Sequence, residues 1–124
     1  MPDYQSPPVG NDIGCVFHGV KDEIINNHAF LKDCLKKALK EDKFSILAEC
    51  EHEFNPKGYT LMFLLSESHA TIHTYPEYKS FAMHIYTCLG PEDGRIATEH
   101  FKNLIQAERV ETFERPIVVD PTIT

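Results

Sequence analysis

Residues 44–65 read FSILAECEHEF-NPKG-YTLMFLL, two segments with regular apolar patterns on either side of a short polar one. From Phe44 to Phe54, apolar or small residues alternate with polar ones, which is the period of a half-buried β-strand. Asn55–Gly58 is a strong turn signal, and Tyr59–Leu65 is a continuous apolar run that suits a central strand. The stretch therefore predicts a β-hairpin with residues 44, 46, 48, 50, 52 and 54 on its buried side.

Further strands are predicted on both sides of the hairpin. Ala70–Tyr75 and Ser80–Cys88 flank a turn, and Ile13–Val20 is apolar enough for a first strand. Val110–Val119 predicts an edge strand, because Pro116 lacks the N–H that a central strand needs.

Helical spacing of apolar residues occurs in two segments. Asp22 is the expected cap of a helix that runs to about Lys40, and a second helix is expected from Asp93 to Ala107. Two helices and six strands joined by short turns predict an α+β two-layer sandwich, an antiparallel sheet with both helices packed on one face. The uncovered face predicts that the domain forms a homodimer.

Composition limits the class of protein. The 124 residues are 42% hydrophobic, which suffices for one domain spanning residues 1–124. A formal net charge of −7 and the lack of a long apolar run exclude nucleic acid and membrane as expected partners. Residues 1–11 are expected to be a flexible tail rather than a secretory signal, and the four dispersed cysteines predict reduced thiols in a cytoplasmic protein.

The chemistry is concentrated after the hairpin, in Ser66-Glu67-Ser68-His69 and in the following His73 and Cys88. Together with the upstream turn, this pattern resembles the self-cleavage site of the small prokaryotic S-adenosylmethionine decarboxylase proenzymes. That family is pyruvoyl-dependent, and it also includes arginine and ornithine decarboxylases. Without the resemblance, Ser68 is an ordinary serine at a strand end and Cys88 a core thiol.

The resemblance implies a cut between Glu67 and Ser68, giving a β chain of residues 1–67 and an α chain of residues 68–124. Ser68 becomes a pyruvoyl group, the cofactor, which forms a Schiff base with the amine of a small-molecule substrate. His73 is then the proton acceptor in processing, and Cys88 the donor that returns a proton after decarboxylation. Spacing alone puts Ser68 and His73 on opposite faces of an unbroken strand, so the backbone must bend for them to meet.

Four further residues gain roles from the same resemblance. Thr60 corresponds to a hydroxyl that assists cleavage, Phe54 to an aromatic residue that stacks on adenine, and Tyr75 and Glu77 to substrate contacts. Each has a structural alternative, since Thr60 suits any strand, both aromatics suit a core or an interface, and Glu77 suits a solvated turn.

Departures from the family pattern leave the substrate open. Gly10-Asn11-Asp12 stands where the family has Gly-x-His, and His84 stands where an acidic residue is common. S-adenosylmethionine is the expected substrate, for spermidine and other polyamine biosynthesis, and L-arginine or L-ornithine is the alternative.

Two alternatives are not enzymes. His69, His73, His84 and Cys88 are ligand-type side chains at four-residue spacings, which suggests a metal-binding module, although four residues of strand separate a pair by about 13 Å. The other alternative is a regulator that partners a true decarboxylase without being cut. No metal is expected in the preferred interpretation.

Overall fold

The computed structural model describes residues 5–123, which form six strands, three α-helices and one 3₁₀ turn. In chain order these are β1 Val9–His18, α1 Asp22–Ile25, α2 His28–Glu41, β2 Ile46–Glu53, β3 Tyr59–Leu65, β4 Ser68–Tyr75, the 3₁₀ turn Pro76–Tyr78, β5 Ser80–Thr87, α3 Arg95–Leu104 and β6 Arg109–Val118.

The strands form one open antiparallel sheet in the order β2-β3-β4-β5-β1-β6. The predicted hairpin is the β2–β3 pair, and β6 lies at the edge, where Pro116 pairs with Asn11. The predicted α+β two-layer sandwich is therefore confirmed, with a short additional helix α1.

The core lies between the sheet and the helices. Alternate residues of the central strands point to this side because side chains alternate across a strand. Phe17 and Phe81 stack at 4.6 Å between ring centroids, and Phe101 of α3 meets Phe17 edge-on at 5.4 Å. The other large buried side chains from strands and helices are Tyr59, Leu61, Phe63, Leu65, Ile72, Ile25, Leu31, Leu35 and Leu39.

The N-terminal third differs from the prediction in two respects. The expected helix 22–40 is divided, because the side chain of Asn27 accepts a hydrogen bond from the Phe30 N–H and caps a new helix, α2. Asp22 lies in the first turn of α1 and is not its cap. The expected tail of residues 1–11 is too long, since β1 begins at Val9 and Asn11 is buried; residues 1–4 lie outside the described residues.

Strand β2 was predicted to be half buried, and this is wrong. The register shifts between Ile46 and Ala48, so that only the first part of the alternating pattern, with Ile46, packs against the core. Beyond the shift, Ala48, Cys50 and His52 lie on the sheet face away from the helices and are exposed. The polar residues of β2 occupy the other side, where Lys32 of α2 forms ion pairs with Glu49 and Glu51.

The sheet face away from the helices, here called the open face, carries exposed apolar residues. Met62 and Leu64 of β3 and Phe113 of β6 are each about half exposed. These side chains leave apolar surface exposed on the open face of the single chain. Among residues 5–123, no helix is long and apolar enough to cross a membrane.

Candidate active site

The peptide bond between Glu67 and Ser68 lies at the start of β4. Ser68 is 8% exposed and shares the helix-covered face with Ala70, and its Oγ has no hydrogen-bond partner among the described residues. The carbonyl oxygen of Glu67 accepts a hydrogen bond from the Cys88 N–H at 3.3 Å. Leaving a buried hydroxyl unpaired costs about 1–3 kcal/mol, so an unpaired hydroxyl at this position needs a reason other than stability.

The pairing of β4 with β5 creates this arrangement. Ser68 pairs with Thr87, so the residue after Thr87 reaches the carbonyl before Ser68. The structure therefore brings together three of the predicted site residues: Glu67, Ser68 and Cys88.

Cys88 lies where the open face meets both ends of the described chain. Tyr86 lies beside the Cys88 thiol, and burial together with the Cys88 sulfur raises the pKa of Tyr86. Both side chains line a cavity of about 480 Å³, closed by residues 5–8 and by residues from Ile117 to Ile123. The cavity gives a small molecule access to Cys88.

Next to Cys88, a polar cluster extends across the open face. The ring of His69 stacks on Tyr86 at 5.6 Å between centroids and lies 6.1 Å from the ring of His84, which is hydrogen-bonded to Asp12. Burial, and then the neighbouring charge of His84, lower the pKa of His69. The cluster therefore favours a neutral imidazole at position 69.

The Asp12–His84 contact also relates two of the departures from the resembled pattern. Asp12 stands where the resembled pattern has a histidine, and His84 stands where an acid is common. The acid and the histidine have therefore changed places between β1 and β5, which pair in this part of the sheet. One acid and one histidine are therefore still in contact.

The other predicted residues form a separate group. Thr60 and His73 are paired across β3 and β4, with Oγ1 and Nδ1 3.4 Å apart on the open face. Phe54 lies at the hairpin turn with its ring 4.5 Å from that of His52, and Tyr75 ends β4 with about half of its surface exposed. Glu77 lines a different cavity, of about 470 Å³, together with His18 and Lys79.

One chain does not bring these two groups together. Strand β4 runs without a break from Ser68 to Tyr75, so the bend that the sequence required between Ser68 and His73 is absent. Five residues of strand separate them by about 17 Å and put them on opposite faces. The serine–cysteine group and the threonine–histidine group thus lie towards opposite ends of β4.

Three polar residues beside Ser68 were missed by the sequence reasoning. Asn11 and Thr87 are completely buried, and the Thr87 hydroxyl donates to Asp93. A signal existed, because Asn11 and Thr87 continue the buried alternation of Ile13 and Ile85 with polar side chains. Polar residues in core positions of a strand indicate specific partners.

The ligand-type side chains named in the metal alternative do not converge. Within residues 5–123, no group of three or more histidine, cysteine, aspartate or glutamate side chains has an arrangement that could hold a metal ion. All four cysteines are free thiols, of which Cys15 and Cys34 are buried and Cys50 is exposed, contrary to its expected burial.

The protein is thus a single-domain α+β protein with a buried serine and a cysteine at adjacent strand ends of an open antiparallel sheet. Comparison with known families identifies it further. The model of the S-adenosylmethionine decarboxylase family matches residues 14–116. The chain belongs to the S-adenosylmethionine decarboxylase family.

Individual relatives agree with this membership. The chain is 33% identical over 106 residues to the S-adenosylmethionine decarboxylase proenzyme of Thermotoga petrophila, covering 86% of this chain and 82% of the relative. It is 37% identical over 94 residues to the proenzyme of the same name from a Sulfurihydrogenibium species, covering 76% and 71%. The crystal structure of the adenosylmethionine decarboxylase from Aquifex aeolicus VF5 has the same fold, with a TM-score of 0.82, 22% identity and coverage of 94% and 97%.

Proposed function

We propose that the protein is a self-processing, pyruvoyl-dependent decarboxylase whose substrate is S-adenosylmethionine. The observation that carries the proposal is the Glu67–Ser68 peptide, in which a buried, unpartnered hydroxyl follows a carbonyl that is hydrogen-bonded to the Cys88 N–H. The family relationship supplies the reaction with which this geometry agrees.

Cleavage begins with attack of Ser68 Oγ on the carbonyl carbon of Glu67. The carbon–nitrogen bond breaks, the Ser68 nitrogen takes up the proton of the hydroxyl, and an ester joins residue 67 to the Ser68 side chain. The negative charge that develops on the carbonyl oxygen is stabilised by the Cys88 N–H, which already points at that atom. A base then removes the Cα proton of residue 68. The bond between Ser68 Cβ and Oγ breaks, and the upstream fragment departs with a new C-terminal carboxylate at residue 67.

The residues around position 68 fit a pyruvoyl group. Ser68 Oγ, which has no hydrogen-bond partner in the described part of the chain, departs with the newly formed carboxylate of residue 67 and leaves a dehydroalanine, which becomes an imine by proton transfer. Water hydrolyses the imine, supplying the oxygen of the ketone and releasing ammonia. A pyruvoyl group supplies an electron sink for the electrons left when carbon dioxide departs from an α-amino acid. The Cys88 thiol, within reach of the cavity, donates the proton that replaces the carboxylate.

S-adenosylmethionine is the first choice of substrate because the curated relatives described above carry that name. Its decarboxylated product donates propylamine groups in polyamine synthesis, and free thiols agree with a cytoplasmic setting. Arginine and ornithine are the alternatives, since both are α-amino acids that a pyruvoyl group could decarboxylate.

The active unit we propose is a homodimer joined through the open faces. The exposed apolar residues of the open face, including Met62, Leu64 and Phe113, would be buried by a second copy of the chain. An antiparallel arrangement would bring Thr60 and His73 of the partner subunit to the end of β4 that carries the Glu67–Ser68 bond, on the open-face side of that backbone. His73 in the same chain lies at the other end of the unbroken strand β4. The dimer thus supplies the base that cleavage needs.

Intact mass and carbon dioxide release test the proposed function together. We expect freshly purified protein to consist of residues 1–67 and a fragment from position 68 that has lost its amine and gained a ketone. The same preparation should release carbon dioxide from carboxyl-labelled S-adenosylmethionine. A single uncut polypeptide would refute self-processing, and release from arginine or ornithine alone would refute the substrate.

A further inference from the structure

A row of buried polar residues crosses the sheet at the cleavage site. Ser68 of β4 pairs with Thr87 of β5, and Thr87 pairs with Asn11 of β1, so the three residues are neighbours on the helix-covered face. They are three of the four buried polar residues in the described part of the chain. Buried polarity is therefore concentrated at this site.

Thr87 uses its hydroxyl to fix the backbone on both sides of Cys88. Its Oγ1 donates to the carboxylate of Asp93 at 2.7 Å and accepts a hydrogen bond from the Leu89 N–H at 3.1 Å. The backbone of Asp93 is held in turn, because its carbonyl oxygen accepts from the side-chain amide of Asn11 at 2.9 Å. The hydroxyl thus joins a turn from Thr87 to Leu89 to an anchored carboxylate.

Cys88 lies at the centre of this turn, and its N–H reaches the Glu67 carbonyl oxygen at 3.3 Å. That length is at the long end for an N–H···O bond, and it must shorten as charge develops on the oxygen. A donor that drifts by about 1 Å loses much of its effect on a rate. The rate of cleavage is therefore expected to depend on how accurately the Cys88 N–H is aimed at the Glu67 carbonyl oxygen.

We infer that Thr87 and Asp93 are positioning residues for self-cleavage: the hydroxyl and its carboxylate anchor hold the Cys88 N–H on the oxygen of the bond that is cut. This inference rests on the proposed function and deepens it. The Thr87 hydroxyl is hydrogen-bonded to Asp93 and to the Leu89 N–H and not to Ser68 Oγ, so both residues act through the backbone of Cys88.

The first test compares cleavage rates of freshly translated full-length chains by mass spectrometry. Thr87→Val keeps the shape and removes the hydroxyl, and we expect it to cleave roughly tenfold or more slowly than the wild type. Thr87→Ser should remain within about twofold of the wild type, because it keeps the hydroxyl. Asp93→Ala should resemble Thr87→Val, whereas Asp93→Asn, which keeps an acceptor oxygen, should be faster than Asp93→Ala.

Thr74→Val is the matched control. Thr74 also accepts a backbone N–H, from Tyr59 at 2.8 Å, so the variant loses a comparable hydrogen bond near the other end of β4. Thermal unfolding of both valine variants gives their loss of stability. Equal destabilisation with slow cleavage in Thr87→Val alone would support positioning rather than a general loss of structure.

Hydroxylamine identifies the step that is slowed. It attacks an ester carbonyl, so an accumulated ester at Ser68 would be split into a Glu67 hydroxamate and a chain that begins with Ser68. We expect no acceleration for Thr87→Val, because ester formation itself is slow. His73→Ala, in which the proposed base is missing and the ester persists, should be split.

The results separate the two proposals. An uncut wild type would overturn the proposed function and this inference together. A wild type that is cut, with Thr87→Val equally fast, would overturn the inference alone. The inference would also fail if Thr87→Ser were as slow as Thr87→Val, if Thr74→Val slowed cleavage to the same degree, or if hydroxylamine rapidly split Thr87→Val.

Discussion

Cys88 contributes two chemically different groups to the same site. Its backbone N–H contacts the Glu67 carbonyl oxygen, and its thiol lies beside Tyr86 at the cavity. The first group belongs to cleavage and the second to turnover in the proposed function. A substitution at position 88 keeps the N–H while it removes the thiol, so the two roles can be separated.

We expect Cys88→Ala to be cut as the wild type is and then to turn over slowly. Loss of a positioned proton donor typically lowers a rate by about 10²-fold or more. Fragment masses and carbon dioxide release from one preparation measure both steps. Cys50→Ala, which removes an exposed thiol from β2, is the control and should change neither. Normal turnover in Cys88→Ala would remove the thiol from its assigned role.

The hydroxyl of Ser68 is unpartnered and buried, which predicts a cost to the folded state. Ser68→Ala should remain one full-length chain. Its free energy of unfolding should be no lower than that of another uncut chain, and up to about 1 kcal/mol higher. The His73→Ala chains that hydroxylamine leaves whole are the suitable reference, because they keep both the 67–68 peptide bond and the Ser68 hydroxyl. Urea unfolding and intact mass measure the result. Fragments from Ser68→Ala, or a clear loss of stability, would contradict this account of the serine.

At the scale of the elements, close approach of β1 to β5 keeps the cleavage site in place. A Cβ at Gly10 would lie 2.4 Å from the Thr87 carbonyl oxygen, so a side chain there would push the two strands apart. This contact is between backbones and cannot be relieved by rotation of a side chain.

We therefore expect Gly10→Ala to lose about 1–3 kcal/mol of stability and to be cut more slowly than the wild type. Gly19→Ala, just beyond the other end of β1, is the control, since its φ of +68° and the side chain of Glu108 oppose a Cβ there and neither lies near Cys88. That variant should lose stability and keep its cleavage rate. Fragment mass against time, with thermal unfolding, distinguishes the two variants. Equal cleavage rates in both would show that the approach of β1 does not matter for processing.

His69, on the open face of β4, gives the sheet a dependence on pH. Its pKa is lowered by burial and by His84, so the unfolded chain binds more protons than the folded one in mild acid. The stability from a neutral His69 is complete above the unfolded pKa of about 6.5 and is lost as pH falls through the lower folded pKa. Unfolding free energies of an uncut chain, Ser68→Ala, should thus fall more between pH 7.5 and 5 than those of Ser68→Ala with His69→Gln.

The comparison at pH 8 is the control for that measurement. Any difference between the two chains there reflects packing of the imidazole on Tyr86 and should not change with further increases in pH. Parallel curves from pH 7.5 to 5 would contradict the assignment of the acid sensitivity to His69.

Elements that follow a simple period were predictable, and a bulge was not. The β2–β3 hairpin was predicted correctly, but the register shift between Ile46 and Ala48 inverts which residues of β2 face the helices. The period of two continues in the sequence through the shift, so the alternation carries no sign of it. The first helix is divided because the side chain of Asn27 caps a new helix. The apolar spacing continues through Asn27, so the sequence predicted one helix.

For the whole molecule, the sequence predicted the fold, and the family resemblance assigned Glu67, Ser68 and Cys88 to one site, but neither indicated the network of polar residues behind them. The positions of Asn11, Thr87 and Asp93 depend on strand pairing and on a turn, which join residues far apart in the chain. The separation of Ser68 from His73 follows from β4 being continuous. The spacing of Ser68 and His73 showed that a bend in β4 was required for them to meet, but it did not show whether β4 bends.

That separation gives a test for the proposed homodimer. Suppose that the base for one cleavage site comes from the partner subunit. The Ser68→Ala chain then lacks a cleavage site but supplies the base, and the His73→Ala chain keeps the cleavage site but lacks the base. A mixed dimer contains one site with an intact Ser68 on the His73→Ala chain and an intact His73 on the Ser68→Ala chain. The His73→Ala chain should then be cut when the two chains are produced together, and at least about tenfold more slowly when it is produced alone.

Distinct tags on the two chains let mass spectrometry assign every fragment to its parent. A chain with both substitutions, produced together with the His73→Ala chain, is the control, because that mixed dimer lacks an intact His73 and should rescue nothing. Because each rescued dimer contains one competent site, at most half of all chains can be cut, and all cut chains should carry His73→Ala. If co-production left the His73→Ala chain uncut while Ser68 and His73 were each required in homodimers, the base would have to act within one chain. In that case β4 would have to bend during the reaction, and the dimer would lose its proposed part in cleavage.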